Sequence, residues 1–356
     1  MTVGMAIPSS HASYRLSFIS DIHQNAYRLG REVARAKEEG RKILCSGDYL
    51  SSICFRGRKN KIRSLLDESL STLDTLGPGN VVATYGNHDP EKHVNYVMKT
   101  ECNIAYVHGK RMARLKPSTT ADAEDRSHHE LSVVGFGGSE RRGKSATELF
   151  SRAFFGSSVY SYNDIYASVK ESLDGMRRND ALYDTILLAH QSPYGILDRS
   201  LFSDNWRKLP EGESRKAGSK ALRDVLDEYS PFLVAAGHIH EDPGIAVRTS
   251  LGEQPMEAKY DAKSGTLDLS KIDRERLRDG GISVVMPVSN ASEGEIIFGI
   301  EKKEKTGIRL PTFYLNSGSL GYEGVHCDVD LDVSGGVEDG KSRFERVLKF
   351  RFIHNK

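Results

Sequence analysis

Cysteine is scarce in this sequence and follows neither a metal-binding nor a disulfide pattern. Four cysteines occur among 356 residues, and no two of them form a C-x-x-C pair. Such scatter favours reduced thiols and argues against a disulfide framework or a structural zinc site. The chemistry of the chain is therefore expected to depend on other side chains.

Long apolar runs are also missing from the sequence. No stretch approaches the length needed to cross a bilayer, and residues 1–10 lack the basic start and apolar core of a signal peptide. We therefore expect a cytoplasmic protein without a membrane partner.

The chain lacks an excess of charge of either sign. It has 50 Lys and Arg residues against 49 Asp and Glu residues, a formal net charge of +1. Overall attraction cannot drive binding to nucleic acid, which would need a local basic patch. With 38% apolar residues and no long low-complexity tract, the chain is also not mainly disordered.

Short apolar strands alternate with amphipathic helices from residue 15 onward, as is typical of a layered α/β protein. We predict strands over 15–20, 42–46, 80–85, 131–136, 185–189, 232–236 and 312–315, and helices over 25–39, 60–76, 164–176 and 216–228. Residues 1–14 are predicted to form an N-terminal extension and 15–356 one domain. That domain is expected to contain a β-rich insertion at about 245–310 and a C-terminal hairpin at about 325–354, with strands over 325–333 and 346–353.

Five of the predicted strands end in aspartate, histidine or asparagine. Because the ends of strands converge on one edge of a layered α/β sheet, where ligands usually bind, these side chains are expected to meet in space. A single D-x-H or H-x-H pair is common by chance, but five such blocks in order are not. The residues are Asp21, His23, Asp48, Asn87, His190, His238 and His240.

Two aspartates, one asparagine and four histidines supply oxygen and nitrogen ligands without a thiolate. Such a set suits Mn, Fe, Zn, Co or Ni better than Ca, Mg or copper(I). Seven ligands are too many for one ion that keeps an open coordination position. If Asp48 bridges two ions, each ion has three further ligands and room for a shared water. These are Asp21, His23 and His240 on one side, and Asn87, His190 and His238 on the other.

The same blocks resemble the signature of the calcineurin-like metallophosphoesterases over roughly residues 15–240. They are Asp21-Ile22-His23, Gly47-Asp48, Gly86-Asn87-His88-Asp89, His190 and Gly237-His238-Ile239-His240. Asn316-Ser317-Gly318-Ser319 resembles the Asn-Pro-Gly-Ser strand end of many members, with serine in place of proline, and extends the resemblance to about residue 320.

This resemblance implies a four-layer αββα sandwich of two mixed β-sheets flanked by helices. It also implies two divalent transition-metal ions, of which we favour manganese, bound by the seven residues above. A hydroxide bridging the ions would attack the phosphorus atom of a phosphate ester. His88, held by Asp89, would act as the general acid.

Departures from the family pattern narrow the substrate. Relatives of the protein Ser/Thr phosphatases carry Gly-Asp-x-x-Asp-Arg-Gly and end the third block in Glu, whereas this block ends in Asp89 and Tyr49 follows Asp48. The run Asp21-Ile22-His23-Gln24-Asn25 is most similar to the small bacterial and archaeal phosphodiesterases, although Gln24 replaces a frequent glycine. The resemblance thus favours a phosphodiesterase or phosphomonoesterase that acts on a nucleotide or another small phosphate ester.

Residues 138–145 also fit G-x-x-x-x-G-K-[ST], the phosphate loop of nucleotide hydrolases. Its variable positions include Glu140 and two arginines, which are poorly suited to a nest of backbone N–H groups. We therefore interpret the match as chance. Arg141, Arg142 and Lys144 are still candidates to bind a substrate phosphate.

Two alternatives stay open at this stage. A DNA or RNA nuclease of the same superfamily would share these blocks, but the chain has neither a basic excess nor a recognisable DNA-capping domain. A non-catalytic metal-binding scaffold would usually lack the catalytic histidine or several ligands, whereas His88 and all seven ligands are present.

Overall fold

Two mixed β-sheets packed face to face form the centre of the molecule, as a computed structural model of the chain shows. The structure describes residues 10–51, 59–100, 102–120, 130–141, 158–179, 181–202, 208–211, 213–248, 256–261, 266–268, 282–285, 293–301, 312–338 and 341–354. Within those ranges no helix is both long and apolar enough to span a membrane.

The first sheet contains nine strands in the described part of the chain. Their spatial order is β17 (Ile282–Val285), β18 (Glu293–Glu301), β21 (Lys341–His354), β20 (Val325–Glu338), β1 (Ser10–Ile19), β2 (Lys42–Cys45), β3 (Val81–Ala83) and β4 (Ala105–Tyr106), and β6 (Thr119–Thr120) pairs with β1. Strands β1 to β4 run parallel, whereas β20 is antiparallel to β1. The sheet is therefore mixed.

The second sheet contains eight described strands. Their order is β16 (Thr266–Asp268), β15 (Met256–Asp261), β14 (Gly244–Arg248), β19 (Thr312–Asn316), β13 (Leu233–Gly237), β10 (Thr185–Gln191), β7 (Leu131–Phe136) and β5 (Met112–Leu115). The four strands β7, β10, β13 and β19 are parallel. Two short ribbons pair β8 (Ser139–Glu140) with β9 (Val159–Tyr160), and β11 (Arg199–Ser200) with β12 (Arg215–Lys216).

Helices cover both outer faces of the pair of sheets. They are α1 (Ala26–Glu38), α2 (Lys59–Asp74), α3 (Glu91–Thr100), α4 (Tyr162–Arg178) and α5 (Lys220–Glu228), and a 3₁₀ turn spans Leu182–Asp184. The predicted helices lie within a few residues of α1, α2, α4 and α5. Helix α3 was not predicted, because its ten residues are too few for the spacing of its apolar positions to show a helical period.

Apolar side chains that alternate between the two faces of a strand produce the layers. In β2, Leu44 packs in the core between the sheets, while its neighbours Ile43 and Cys45 pack beneath α1 and α2. In β10, Leu188 joins the same central core, while Leu187 packs against α4 and α5. Successive side chains of a strand point to opposite faces, so the central strands of each sheet, such as β2 and β10, are buried on both sides. The predicted four-layer α/β/β/α architecture is confirmed.

Several strand boundaries differ from the sequence-based ones. Strand β1 begins at Ser10 rather than at residue 15, because pairing with β20 extends it and buries Ala12 and Tyr14. The predicted insertion begins with β14, a fully buried strand paired with β19, so its first residues belong to the second sheet. Strands β17 and β18 instead extend the first sheet through β21. The terminal strands β20 and β21 pair along their length and are longer than predicted.

A buried ionic network fastens α1 to the first sheet. The Arg35 guanidinium donates to both carboxylate oxygens of Asp328 on β20 at 2.7 Å, and to Glu32 at 2.6 Å. The side chains of Glu32 and Asp328 are 0% and 2% exposed, so their charges need cations nearby: Arg35 contacts both, and Arg41 and Arg351 also contact Asp328. His326 lies 2.9 Å from Glu32, and these groups are close enough together to be metal ligands by distance. Because Arg35 already neutralises the carboxylates, we interpret the group as structural.

Replacing Arg35 by alanine would remove the guanidinium from the buried Glu32 and would leave Asp328 with Arg41 and Arg351. We expect Arg35→Ala to lower the free energy of unfolding by about 3–5 kcal/mol, measured by urea denaturation at neutral pH. The control is Arg31→Ala, at an exposed position of the same helix, which should change it by less than about 0.5 kcal/mol. Equal effects of the two substitutions would contradict the role of the network.

Candidate metal centre

The loops that follow β1, β2 and β13 are joined by hydrogen bonds at the carboxyl ends of their strands. The N–H of Asp21 donates to the Gly47 carbonyl, and the N–H of His23 donates to the Asp48 carbonyl, both at 2.9 Å. The N–H of His238 donates to the carboxylate of Asp21 at 2.8 Å. Loops from the two sheets therefore meet at one edge, as the positions of these residues at strand ends predict.

Asp21, His23 and His240 form the first group of potential metal ligands. His240 Nε2 lies 3.0 Å from Asp21 Oδ1 and 3.3 Å from His23 Nε2, and His23 Nε2 lies 3.6 Å from the same Asp21 oxygen. Asp21 is fully buried.

Asp48, His190 and His238 form the second group, with Asn87 beside it. His190 Nε2 lies 2.8 Å from Asn87 Oδ1 and 3.5 Å from Asp48 Oδ2. The rings of His190 and His238 are in edge contact, with centroids 4.9 Å apart. All seven predicted ligands thus lie in two adjacent groups of the predicted membership, with Asp48 in the second.

Hydrogen bonds orient the rings of two histidines so that their Nε2 atoms face the other ligands of these groups. Nδ1 of His23 lies 3.1 Å from the Leu50 carbonyl, and Nδ1 of His190 lies 3.0 Å from the Ser46 carbonyl. Because a carbonyl only accepts, each Nδ1 carries a proton, and Nε2 is the ring nitrogen that faces the other ligands of the group. Imidazole nitrogens and carboxylate oxygens that converge at these distances can share a cation, and an outer carbonyl is the usual support for a metal-bound histidine. The residues therefore fit divalent metal ions.

The pKa shifts of the carboxylates Asp21 and Asp48 also fit a site for divalent cations. Burial and the neighbouring Asp21 raise the pKa of Asp48 well above its usual range. Burial alone would also raise the pKa of Asp21, but His240 and His23 lower it well below its usual range. Burial lowers the pKa of His190 to about 4, so its imidazole is neutral at neutral pH. Two buried carboxylates can be ionised together only with additional positive charge, which divalent cations supply.

Backbone strain is concentrated at the same loops. Positive φ angles occur at Asp21 (53°), His23 (48°), Gln24 (63°), Asp48 (55°) and His238 (66°), and none of these residues is glycine. Each such conformation costs of order 1–3 kcal/mol and persists only where surrounding contacts determine it. Four of the five residues are predicted ligands, so the strain directs ligand side chains into the centre.

We call the loops after β1, β2 and β3 the first, second and third ligand loops. The carboxylate of Asp89 joins the third loop to the second. It accepts the N–H groups of Gly86 at 2.8 Å, Leu50 at 3.0 Å and Tyr49 at 3.3 Å. Burial raises the pKa of Asp89 to about 6. These contacts position the backbone that carries His88, so Asp89 acts on His88 through the loop.

His88 lies beside both groups of ligands. Its N–H donates to Asp48 Oδ1 at 2.9 Å, its Nε2 lies 3.8 Å from Asp48 Oδ2, and its ring centroid is 5.8 Å from that of His23. Its side chain is 18% exposed, compared with 0% for His190. The imidazole is thus near the ligands and still accessible from outside, as a proton donor to a substrate must be.

The Asn316 block lies under the first ligand loop. Asn316 Nδ2 donates to the carbonyl of Ile239 at 2.9 Å, and Ser319 Oγ donates to the carbonyl of Asp21 at 3.2 Å. The N–H of Gly321 donates to the same Asp21 carbonyl at 2.9 Å. The block therefore supports the ligand loops through backbone contacts.

Part of the phosphate-loop match is a β-strand. Ser139 and Glu140 form β8, and the Glu140 carboxylate accepts the N–H of Ala221 at 2.9 Å near the start of α5. Arg141 follows directly, half-buried, with its N–H bonded to the Tyr160 carbonyl. Ser158, at the start of this ribbon, bonds to the Asn87 carbonyl, so the ribbon lies beside the third ligand loop. Arg142 and Lys144 lie outside the described residues.

Sequence reasoning missed several residues that contact the candidate ligands. Ser20 donates its hydroxyl to the Asp21 carboxylate, and the carbonyls of Ser46 and Leu50 bind histidines. Tyr322 contacts two of the ligand rings. Backbone carbonyls have no sequence signal, and a single tyrosine in a loop is too common to stand out.

Comparisons with known proteins identify a family. A model of the calcineurin-like phosphoesterase family matches residues 14–242, a range that contains all seven predicted ligands. The crystal structure of the Thermus thermophilus protein TT1561 is 14% identical, covers 71% of this chain and 96% of its own, and has a TM-score of 0.41. A hypothetical protein from the same organism is 11% identical over 96% of this chain and 100% of its own, with a TM-score of 0.39. No curated protein matches the chain.

The close approach of the second and third loops depends on Gly86. A Cβ atom at this position would lie 1.8 Å from Asp48 Oδ1 and 2.4 Å from the Asp48 nitrogen, so Gly86→Ala must displace Asp48. We expect it to reduce bound Mn²⁺, measured by elemental analysis, and to lower the free energy of unfolding by about 1–3 kcal/mol.

The matched control is Gly175→Ala within α4, where a Cβ would meet nothing within 4 Å. It should keep full metal content and be as stable as the wild type or more so. Normal Mn²⁺ binding by Gly86→Ala would mean that Asp48 is not a ligand.

Proposed function

The chain belongs to the calcineurin-like phosphoesterase family, which implies metal-dependent hydrolysis of phosphoesters, and we propose that it hydrolyses a small phosphate ester at a two-ion centre. The observation that carries the proposal is the pair of adjacent ligand groups around Asp21 and Asp48. Contacts between them support two ions that share ligands: the N–H of His238, from the second group, donates to Asp21 in the first.

Each ligand group has a defined part in the proposal. Asp21, His23 and His240 would hold one ion, Asn87, His190 and His238 the other, and Asp48 would bridge them. When bound, the ions lower the pKa of water and neutralise charge that develops on the phosphoryl oxygens. The donor set of oxygen and imidazole nitrogen without thiolate suits Mn, Fe, Zn, Co or Ni, among which we propose manganese.

His88 is proposed as the general acid. Its backbone is fixed from both sides, by Asp48 through its own N–H and by the Asp89 carboxylate through the loop. The ring would deliver a proton to the leaving oxygen of the ester, a step that matters most when the leaving group is a poor one. Arg141 is proposed to bind a substrate phosphate, since its ribbon lies beside the Asn87 loop.

The substrate is proposed to be a nucleotide or a similar small phosphodiester or phosphomonoester. Hydrolysis of bis-p-nitrophenyl phosphate and of p-nitrophenyl phosphate, with Mn²⁺ and after chelation, tests the activity and ranks diester against monoester. If neither ester is hydrolysed with any of several metals, the proposed phosphoesterase activity is contradicted.

Two ligand substitutions test the two-ion assignment. We expect His190→Ala and His240→Ala each to remove one of the two bound Mn²⁺ ions or to weaken it strongly, because each removes an imidazole from a different group. Elemental analysis after dialysis measures the stoichiometry. His93→Ala, a histidine of α3 paired with Asp67, is the control and should keep both ions. Wild-type protein that binds one ion would contradict the assignment.

His88→Ala should keep both ions and lose activity selectively. We expect kcat/KM to fall by about 10²–10⁴-fold for a phenyl ester, whose leaving group needs a proton. For the corresponding p-nitrophenyl ester the decrease should be much smaller, because that leaving group departs as an anion. Equal losses for the two esters, or loss of metal, would contradict the acid role.

A further inference from the structure

An exposed tyrosine lies against the ligand rings of the first group. The ring centroid of Tyr322 is 4.5 Å from that of His23 and 5.4 Å from that of His240, tilted by 43° and 38°. Tyr322 is nevertheless 55% exposed. One side of the ring therefore contacts two proposed metal ligands while much of its surface faces solvent.

The position of this tyrosine is fixed by its loop. The N–H of Tyr322 donates to Ser319 Oγ at 3.2 Å, and that hydroxyl donates to the Asp21 carbonyl. The carbonyl of Gly321 accepts from Arg28 at 2.9 Å and from Asn25 at 3.0 Å, both near the start of α1.

Gly321 allows this loop to approach the first ligand loop closely. A Cβ atom on it would lie 2.2 Å from the Ile22 carbonyl oxygen. Because the backbone on both sides is fastened to residues next to the ligands, the ring does not have to be ordered when a substrate binds. A preorganised group saves the entropy that binding would otherwise cost.

The chemistry of the ring indicates what it binds. A phosphate bound at the first group would lie against His23 and His240, so its ester substituent would begin beside Tyr322. An exposed aromatic face favours a planar π-system over an alkyl chain, since stacking is effective with every nucleobase. A tyrosine also keeps a polar hydroxyl that tolerates water when no substrate is bound.

We propose that Tyr322 is a specificity-determining residue, a stacking platform for the planar base of a nucleotide substrate whose phosphate binds at the metal centre. The proposal rests on the proposed phosphoesterase function and deepens it. It assigns the substrate class to nucleotides rather than to alkyl phosphates.

Binding of two product-like monoesters tests the proposal without turnover. The ligands are thymidine 5′-monophosphate and methyl phosphate, titrated by calorimetry into Mn²⁺-loaded protein whose metal content is measured. Wild-type protein should bind the nucleotide at least about tenfold more tightly than methyl phosphate, because stacking of one base contributes about that factor to the Kd. Tyr322→Ala should bring the two Kd values within about twofold and leave both the Kd for methyl phosphate and the metal content unchanged.

Two further variants separate stacking from support of the ligands. Tyr322→Phe keeps the ring and should keep the preference for the nucleotide. Tyr96→Ala removes a tyrosine of similar exposure, 52%, on α3 and should change neither Kd. An unchanged preference in Tyr322→Ala would overturn the proposal, and so would loss of metal and of both ligands together, which would make Tyr322 a support for His23 and His240.

The wild type distinguishes failure of this proposal from failure of the proposed function. Equal binding of both monoesters, together with Mn²⁺-dependent hydrolysis of an ester, would reject the stacking platform alone. Failure to bind either ligand and to hydrolyse any ester would reject both.

Discussion

The metal centre depends on holding imidazole nitrogens and two buried carboxylates, which repel each other, together at one sheet edge. Asp21 and Asp48 are both buried, and the Nε2 atoms of His23 and His240 lie 3.3 Å apart. The fold holds them there through two sets of backbone contacts. The N–H of Asp21 donates to the Gly47 carbonyl, and the Asp89 carboxylate accepts three N–H groups. The cost of that convergence, including positive φ at four ligands, is offset by the rest of the sandwich and by the cations that the centre is built to bind.

The layers of the sandwich explain why such convergence is feasible. Strands of both sheets are buried on both faces, so their carboxyl ends are held rigidly by three separate cores. The Arg35 network fastens α1 to β20, and the start of the same helix binds the Gly321 carbonyl. Packing far from the centre thus fixes both the ligand loops and the loop that carries Tyr322.

The sequence singles out the seven candidate ligands because each one follows an apolar strand, and strand ends of a layered sheet meet at one edge. The same reasoning missed α3, which is only ten residues long, and placed the start of β1 five residues late, because pairing with β20 rather than apolar character extends it to Ser10. The start of the predicted insertion coincides with strand β14, which belongs to the second sheet. The role of Asp89 as a backbone acceptor and the contact of Tyr322 with His23 depend on residues distant in sequence, and no local pattern encodes them.

The most direct test of the two-ion centre is anomalous X-ray diffraction from crystals of the protein grown with Mn²⁺. The account predicts two anomalous peaks, one contacting Asp21, His23 and His240, the other contacting Asn87, His190 and His238, with Asp48 bound to both. A single peak, or peaks away from these side chains, would contradict it.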